Sequence, residues 1–559
     1  MPASDRLSRE CATEKSAHHT RKTEEIPMRD DKLRMQEGWP RRALISASSI
    51  ALLLAVVPAM AQTALPSVEG PIPVADTSTI FTTGGTDLEA HGYEIEEYLV
   101  SGTANVYDWG DDGAAAEPHV ASADAPYTTR MIVRRPADAA HFSGTVWVEL
   151  NNPSRGWDVE VQWPAIQDKV MRDGDIWVSM TAKPNVVASL KRIDPTRYGK
   201  LAMSNPLLAS DQKCGMLPGE DGYDENLSRL YENGLVWDMI SQVGALVRDT
   251  SKGAPLAGYD VQHVFGTGES QTGFFLNTYA NNFANAAVLA DGSPVYEGFL
   301  SASGAGRAVP ISQCVAAMPA DDPRGQLPAE HVPFIRADAQ GDIFLLGSYD
   351  WRREDSDDPK AGYRLYEIAG APHGPAFITN YQPDPEAIKR AGDLPTQVAY
   401  EYGGAETTAN HLPRQYIEPA MYGNLEKWVI DGVLPPKAAP IGTVEGESKS
   451  LSGDVYPVAF DRDEHGNVVG GVRSPYLDVP TAVYHESATP VEGLPYAWSF
   501  GYQVDFGTAK LHELYGVVGA QQNYVAKVRA SVDQLLADGW LLPEDAQRIV
   551  AEAELRPVP

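Results

Sequence analysis

The chain has 559 residues, of which 43% are hydrophobic and 22% are charged, so it is long enough to bury a large core or to form two domains. This composition excludes a mostly disordered protein. The formal net charge of −31 excludes a nucleic-acid-binding protein, because such proteins hold phosphates with clustered Lys and Arg side chains. We therefore expect no nucleic-acid partner.

The first 61 residues have the pattern of a targeting segment. Arg41 and Arg42 precede an apolar stretch at residues 43–57, and the small residues at 58–61 form an A-x-A cleavage site. This pattern predicts a signal peptide that is cleaved after Ala61, and hence a periplasmic or secreted protein. The apolar stretch is too short to favour a membrane span, and no later stretch is apolar for long enough. We expect no membrane contact after cleavage, and the export route stays open.

The mature chain begins with strand patterns and then alternates between strands and helices. Segments rich in β-branched and aromatic residues, bounded by turn formers, predict strands, and segments with helical spacing follow them. The predicted strands are residues 94–107, 127–135, 144–150 and 175–181, and the predicted helices are 158–172 and 234–248. Alternation of this kind predicts an α/β fold with a mostly parallel central sheet flanked by helices.

A predicted strand at residues 261–266 runs into the turn Thr-Gly-Glu-Ser-Gln-Thr-Gly and then into a predicted helix at 274–282. A serine at the apex between a strand and a helix is the context of a nucleophile elbow. Gly268 supplies the small neighbour before Ser270, but Thr272 stands where the usual motif has glycine. We predict Ser270 as a nucleophile; the alternative is a serine in an ordinary turn between a strand and a helix.

A serine hydroxyl becomes a good nucleophile only when a base takes its proton, and a carboxylate must orient that base. Six histidines follow Ser270, and one of them lies directly after a predicted strand at 363–368. This residue, His373, belongs to a loop of small residues that can present the imidazole at the sheet edge. We predict His373 as the base, and the other five as surface or core residues.

The carboxylate is expected after the strand that lies between these two elements. A predicted strand at 332–336 leads into a loop that offers Asp338 and Asp342. We favour Asp342, because an acid some residues beyond the strand end, in a turn that contains glycine, can reach under the imidazole. Asp338 is the alternative acid, and Asp350 is a third. Ser, then Asp, then His is the chain order of alpha/beta hydrolases.

Acyl transfer also needs backbone N–H groups that bind the developing oxyanion, one of them from the residue after the nucleophile. Gln271 is that residue. The second donor is expected in the loop after the predicted strand at 144–150, where Pro153 has no N–H. We predict Asn152 or Asn151 as this donor; the alternative is that both are turn-forming residues.

The chain resembles the large, acidic, bacterial alpha/beta-hydrolase domain-containing proteins that carry a family-specific C-terminal segment. The matching stretches are VELNN at 148–152, DPTRY at 194–198, GESQ at 268–271, YRLYEIAG at 363–370 followed by His373, WVIDG at 428–432 followed by PP at 435–436, GGVRSP at 470–475 and LLPEDA at 541–546. The resemblance implies an alpha/beta-hydrolase fold and a triad of Ser270, His373 and an acid within 340–342. Relatives more often have a second carboxylate where this chain has Gln340, which favours Asp342.

The same resemblance implies the domain layout. The hydrolase core would span 62–445, with long lid insertions at about 182–233 and 301–330, and residues 446–559 would pack on the core. Cys214 and Cys314 lie in the two insertions. In an oxidising compartment they can form a disulfide that fixes the roof of a pocket; the alternative is two separate buried thiols.

These features predict a serine hydrolase that cleaves a small-molecule carboxylic ester through an acyl-enzyme, without a metal or organic cofactor. The alternatives are an amide hydrolase or an acyltransferase with the same triad, and a non-catalytic ligand-binding relative. The oligomeric state and the substrate stay open. Five aromatic side chains are candidates for lining a pocket, with the protein core as the alternative for each: Trp157, Trp163, Trp237, Tyr349 and Trp351.

Overall fold

The computed structural model describes residues 62–110, 117–207, 210, 214–215, 229–319, 321–392, 408–491 and 496–559. The predicted signal peptide, residues 1–61, lies outside the described residues. The described residues, from Gln62 onward, belong to one compact unit. No helix within the described part of the chain has the length and apolar content that crossing a bilayer requires.

A nine-stranded sheet forms the centre of this unit, in the order β1-β2-β3-β5-β4-β6-β7-β8-β9. Its strands are β1 (Ser67–Glu69), β2 (Tyr93–Asp108), β3 (His119–Pro136), β4 (Thr145–Asn151), β5 (Ile176–Thr181), β6 (His263–Glu269), β7 (Gly298–Ala302), β8 (His331–Ala339) and β9 (Ala361–Ile368). The pairs from β5 to β9 are parallel, whereas β1, β2 and β3 pair antiparallel and β3 joins β5 antiparallel. The predicted mostly parallel sheet is confirmed.

Helices cover both faces of the sheet. They are α1 (Gln162–Asp173), α2 (Asn185–Ile193), α3 (Pro195–Tyr198), α4 (Val236–Leu246), α5 (Gln271–Asn282), α6 (Gln340–Leu345), α7 (Pro385–Ala391) and α8 (Glu418–Asp431). Successive side chains of a strand point to opposite faces. In β4, Val146 and Val148 therefore belong to the same hydrophobic cluster as residues of α2, α4 and α5, whereas Trp147 belongs to a second cluster with residues of α1 and α8. Two hydrophobic layers therefore hold the sheet in place.

The C-terminal segment adds two small hairpins and more helices. These elements are β10 (Thr443–Lys449), β11 (Val455–Phe460), α9 (Pro475–Asp478), β12 (Ala482–His485), β13 (Tyr502–Asp505), α10 (Thr508–Tyr515), α11 (Ala520–Ala537) and α12 (Pro543–Leu555). Between α11 and α12, the ring of Trp540 lies edge-on to Tyr366 of β9, with centroids 5.0 Å apart. The carbonyl of Gly539 accepts a hydrogen bond of 2.9 Å from Asn424 of α8. The break between α11 and α12 therefore contacts the hydrolase core.

The parallel strands bring their carboxyl ends to one edge of the sheet, which is where ligand sites form in α/β folds. The loop after β4, the turn after β6, the start of α6 after β8 and the loop after β9 all open at this edge. These are the four segments in which the sequence predicts site residues.

Candidate active site

Ser270 lies in a very sharp turn. β6 continues to Glu269, beyond the predicted end at 266, and α5 begins at Gln271, so one residue separates strand from helix. Ser270 adopts φ 54° and ψ −119°, a conformation that is strained for a residue with a side chain. Its N–H donates to the carbonyl of Ala302 at the end of β7, with a distance of 3.0 Å. The turn therefore has the geometry of a nucleophile elbow.

The residues around the elbow explain its unusual glycine spacing. A Cβ on Gly268 would lie 2.8 Å from the carbonyl oxygen of Thr272, and one on Gly273 would lie 2.8 Å from the Cα of Gly304. Both positions therefore require glycine. The hydroxyl of Thr272 donates to the Glu269 carbonyl at 3.0 Å and accepts from the Glu269 N–H at 3.2 Å. Thr272 thus braces the turn, and the glycine is needed one residue later.

Three predicted residues form a continuous chain of hydrogen bonds at the sheet edge. The Oγ of Ser270 lies 2.9 Å from Nε2 of His373, and Nδ1 of His373 lies 2.6 Å from Oδ1 of Asp342. Asp342 is in the first turn of α6 and is 0% exposed, and its second carboxylate oxygen accepts the N–H of Ala339 at 2.6 Å. This is the arrangement in which a carboxylate orients an imidazole that can take the serine proton.

The alternative acids have other partners. Asp338 lies inside β8 rather than in a loop, and it forms a buried ion pair with Arg336. It also accepts hydrogen bonds from the Ala305 N–H at 3.0 Å and from the Ser348 hydroxyl at 2.6 Å. Asp350 accepts a hydrogen bond from the Tyr456 hydroxyl at 3.0 Å. Neither acid contacts His373 in the structure.

The loop that carries His373 is held by three side chains that the sequence analysis did not identify. Gln340 accepts the Gly370 N–H at 2.8 Å, and Asn410 donates to the Gly370 carbonyl at 2.8 Å. Arg414 donates to the carbonyl of His373 at 2.9 Å and pairs with Glu418 at 2.6 Å. These polar residues come from α6 and from the segment before α8, so nothing in the local sequence links them to the histidine.

The C-terminal segment also contacts the histidine. The ring of Trp498 stacks on the imidazole of His373, with centroids 5.6 Å apart and planes 26° from parallel. The carbonyl of Ser499 accepts the N–H of Gly374 at 2.6 Å. Residues that were predicted only to pack on the core therefore form part of the site.

The predicted oxyanion donors differ in their availability. The first N–H groups of a helix have no acceptor within it, and the helix dipole favours negative charge there, so the N–H of Gln271 can bind an oxyanion. The backbone N–H of Asn152 donates to the carbonyl of Val159 at 2.8 Å. The prediction that this group is a donor is therefore wrong. Asn151 is the last residue of β4, is 0% exposed and does not line the cavity above Ser270.

Asn152 instead connects the loop after β4 to the elbow. Its Nδ2 donates to the carbonyl of Glu269 at 2.9 Å and to the Glu269 carboxylate at 3.2 Å. Its Oδ1 accepts the N–H of Ser154 at 2.8 Å. With its backbone paired to Val159, this residue fixes the position of the loop relative to Ser270.

The charges of the site act on His373 from several sides. Burial lowers the pKa of His373, but the carboxylates of Asp342 and Glu269 outweigh burial and raise it above its ordinary value. Burial raises the pKa of Glu269 to about 7, although the charges of His373 and Arg414 act in the opposite direction. The imidazole is thus a stronger base than a free histidine side chain.

A cavity of about 300 Å³ opens above Ser270 and His373. Its apolar wall is formed by Val159, Val161, Pro375, Ile378, Tyr496, Trp498 and Phe500. None of the aromatic residues predicted as candidates lines it. Trp157, Trp163 and Trp237 are at most 1% exposed and belong to the core. The aromatic wall comes instead from the C-terminal segment.

No described residue of the two predicted insertions, 182–233 and 301–330, lines this cavity. Cys214 and Cys314 form a disulfide with Cα atoms 5.4 Å apart, which joins the two insertions as expected. Neither cysteine lines the cavity. The idea that this bond fixes the roof of the pocket is not supported by the described residues.

Three carboxylates lie together away from this site, with ligand atoms of Asp173, Asp175 and Glu426 within 4.8 Å of one another. The ammonium group of Lys169 already occupies the space between them, at 3.1 Å, 3.2 Å and 2.7 Å from the three side chains. The cluster is therefore a partly buried ion-pair network rather than a set of ligands that await a metal.

Comparison with solved structures identifies several proteins with a similar fold. One is acetyl xylan esterase 1 from a Thermoanaerobacterium species, with 12% identity over 44% of this chain and 54% of that chain and a TM-score of 0.22. A serine hydrolase homologue from Coxiella burnetii has 9% identity over 44% of this chain and 85% of that chain and a TM-score of 0.24. A thermostable esterase from Pseudomonas putida has 13% identity over 56% of this chain and 82% of that chain and a TM-score of 0.25. This chain thus matches about half the length of the first of these proteins. Identities and TM-scores this low give no information about the substrate.

The comparison with curated proteins found no match. Comparison with protein families gave a match to the family described as alpha/beta hydrolase domain, over residues 68–551. This match spans the sheet except for Ser67 of β1, and it covers most of the C-terminal segment. The chain therefore belongs to the alpha/beta hydrolase domain family.

Proposed function

We propose that this protein is a serine hydrolase that cleaves carboxylic esters, with Ser270 as nucleophile, His373 as base and Asp342 as the orienting acid. The observation that carries the proposal is the pair of hydrogen bonds, 2.9 Å and 2.6 Å long, that connects the three side chains. The site opens into a cavity of about 300 Å³ whose wall is mostly apolar, which suits the uncharged groups of a small ester.

In this mechanism the Oγ of Ser270 attacks the ester carbonyl carbon while Nε2 of His373 takes the hydroxyl proton. The oxyanion that forms is stabilised by the N–H of Gln271 at the start of α5. His373 then gives its proton to the oxygen of the leaving alcohol, and the acyl group stays on Ser270. Water, deprotonated by the same imidazole, attacks the acyl-enzyme and releases the acid and free serine.

The test is a comparison of wild type with Ser270→Ala on p-nitrophenyl esters, together with labelling by a fluorophosphonate probe. We expect the wild type to hydrolyse the ester and to be labelled at Ser270, and the variant to show neither property. Ser293→Ala is the matched control, because it removes an exposed hydroxyl in a distant turn and should leave both readouts unchanged. Full activity of Ser270→Ala would refute the proposal.

The same triad can cleave amides or transfer the acyl group to an alcohol, so the choice of ester needs its own measurement. Rates on an ester and on the amide with the same acyl group separate hydrolysis of the two bonds. Release of a mixed ester in the presence of added alcohol reports transfer. We expect the ester to react faster and water to be the main acceptor.

We also infer that the protein matures outside the cytoplasm. The disulfide between Cys214 and Cys314 supports this inference, because such bonds persist in oxidising compartments. If the predicted signal peptide is cleaved after Ala61, N-terminal sequencing of exported protein will begin at Gln62. Protein that is found in the cytoplasm with an intact N-terminus and two free thiols would contradict the inference.

A further inference from the structure

Glu269 is a buried acid that the mechanism above does not use. It directly precedes the nucleophile, lines the cavity and is 4% exposed. Among the described residues, its carboxylate makes one hydrogen bond, from Nδ2 of Asn152 at 3.2 Å, and no ion pair. A buried carboxylate without a cation in contact is costly. The fold retains it beside the reacting atoms, which points to a role in the reaction.

Each of the charged groups that act on Glu269 already has a partner, but only one of them changes its charge in the proposed reaction. His373 and Arg414 favour its ionised form, whereas Asp342 and Glu418 oppose it. Arg414 is neutralised by Glu418 at 2.6 Å, and Asp342 contacts the imidazole of His373. His373 is therefore the group whose charge changes during the reaction and can compensate that of Glu269.

We propose that Glu269 is a second acid of the site, which acts through His373 by stabilising the imidazolium that forms when Nε2 takes the Ser270 proton. This proposal rests on the proposed function. Glu269 neither gains nor loses a proton during the step: the proton moves from Oγ to Nε2 and later to the leaving alcohol. Asp342 orients the ring through Nδ1, and Glu269 adds negative charge on the side of the nucleophile.

The proposal implies that the pH dependence of the reaction reflects the ionisation of Glu269 as well as that of His373. Burial raises the pKa of Glu269 to about 7, so its charge develops near neutral pH, and the pKa of His373 is raised as well. Ionised Glu269 raises the pKa of His373. Without that charge, His373 becomes a weaker base: it stays neutral to lower pH, but it takes the serine proton less readily.

The experiment is the pH profile of kcat/KM for Glu269→Gln, which removes the charge but keeps the side-chain length and an acceptor oxygen for Asn152. We expect the acidic limb to move to lower pH by about one unit and the high-pH plateau to fall about tenfold. Glu232→Gln is the matched control. Glu232 is also a buried acid with a raised pKa, but its carboxylate binds the N–H groups of Gly234 and Gln313 away from the cavity.

A lower plateau with an unmoved limb would show that Glu269 only supports the structure, and would overturn the proposal. If Glu269→Gln does not fold, the imidazole signal of His373 in the wild type is followed by NMR against pH, with assignment from His373→Gln. We expect two steps, because the titration of Glu269 near neutral pH changes the charge that acts on the imidazole; a single step would overturn the proposal. These outcomes can be told apart from a failure of the proposed function itself, because in that case the fluorophosphonate probe would not label the wild type.

Discussion

Asp342 and Asp338 offer a matched test of the site, because both are 0% exposed and lie close together in the chain, yet their partners differ. Asp342 accepts the Nδ1 proton of His373, whereas Asp338 neutralises Arg336. The same isosteric change, Asp→Asn, therefore perturbs catalysis at one position and stability at the other.

The magnitudes follow from these contacts. In Asp342→Asn, an amide that can donate faces Nδ1 and favours the wrong tautomer of His373, and the loss in kcat for such a change is about 10⁴-fold, or about 5.4 kcal/mol. In Asp338→Asn, the guanidinium of Arg336 stays buried without its counter-charge, which costs about 3–5 kcal/mol of the free energy of unfolding. The Ala305 N–H and the Ser348 hydroxyl bind different oxygens of Asp338, so the single amide oxygen of the variant keeps only one of these two hydrogen bonds.

The assay measures kcat on a p-nitrophenyl ester, normalised to folded protein by circular dichroism, and the free energy of unfolding in urea. We expect Asp342→Asn to be inactive and close to wild type in stability, and Asp338→Asn to be destabilised and active per folded molecule. If folded Asp338→Asn lost kcat by 10³-fold or more while Asp342→Asn stayed within tenfold of wild type, the assignment of the acid would be refuted.

Three other changes test other parts of the site. Trp498→Ala removes the ring that stacks on His373 and should lower kcat/KM for aromatic esters about fivefold, an effect of about 1 kcal/mol. The loss for an acetate ester should be smaller. Equal losses on both substrates would contradict a role of Trp498 in specificity. Gly273→Ala places a Cβ 2.8 Å from the Cα of Gly304 and should lower the free energy of unfolding, measured in urea, by about 1–3 kcal/mol. An unchanged free energy would show that the end of β7 can shift to make room for the Cβ. The pKa of His373 is raised, so kcat/KM should be constant at high pH and fall as the pH drops through a value above 6.5; an acidic limb below that value would contradict the net effect of Asp342 and Glu269.

Much of the fold could be predicted from the sequence because its signals are local. The sequence patterns predicted the bounds of β4, β5, β6, β8 and β9 to within a few residues. In these regions, runs of β-branched and aromatic residues alternate with segments that have the apolar spacing of a helix. The prediction ended β6 at residue 266, whereas the strand reaches Glu269. Gly266 and Gly268 weaken the strand pattern, but Phe299 and Thr272 occupy the space that their side chains would need.

The catalytic candidates were found for the same reason. Ser270, Asp342 and His373 each follow a strand, and parallel strands bring such positions to one edge without any further information. The prediction of Asn152 as an oxyanion donor was wrong because a backbone N–H can bind an oxyanion only if it has no other acceptor. The N–H of Asn152 donates to the carbonyl of Val159, in a loop whose course the sequence does not reveal. Chain order predicts proximity, but it does not predict which backbone groups stay unpaired.

The residues that complete the site lie far along the chain, and this is why local reasoning missed them. From the C-terminal segment, Trp498 stacks on His373 and the carbonyl of Ser499 accepts the N–H of Gly374. The Nδ2 group of Asn410 donates to the carbonyls of Gly370 and of His485 in β12. A histidine loop rich in small residues cannot fix its own conformation, because glycine leaves the backbone many states. The segment that covers the loop supplies the missing constraints and the aromatic wall of the cavity. The C-terminal segment is therefore part of the candidate site, and we expect its sequence to influence which substrate the cavity accepts.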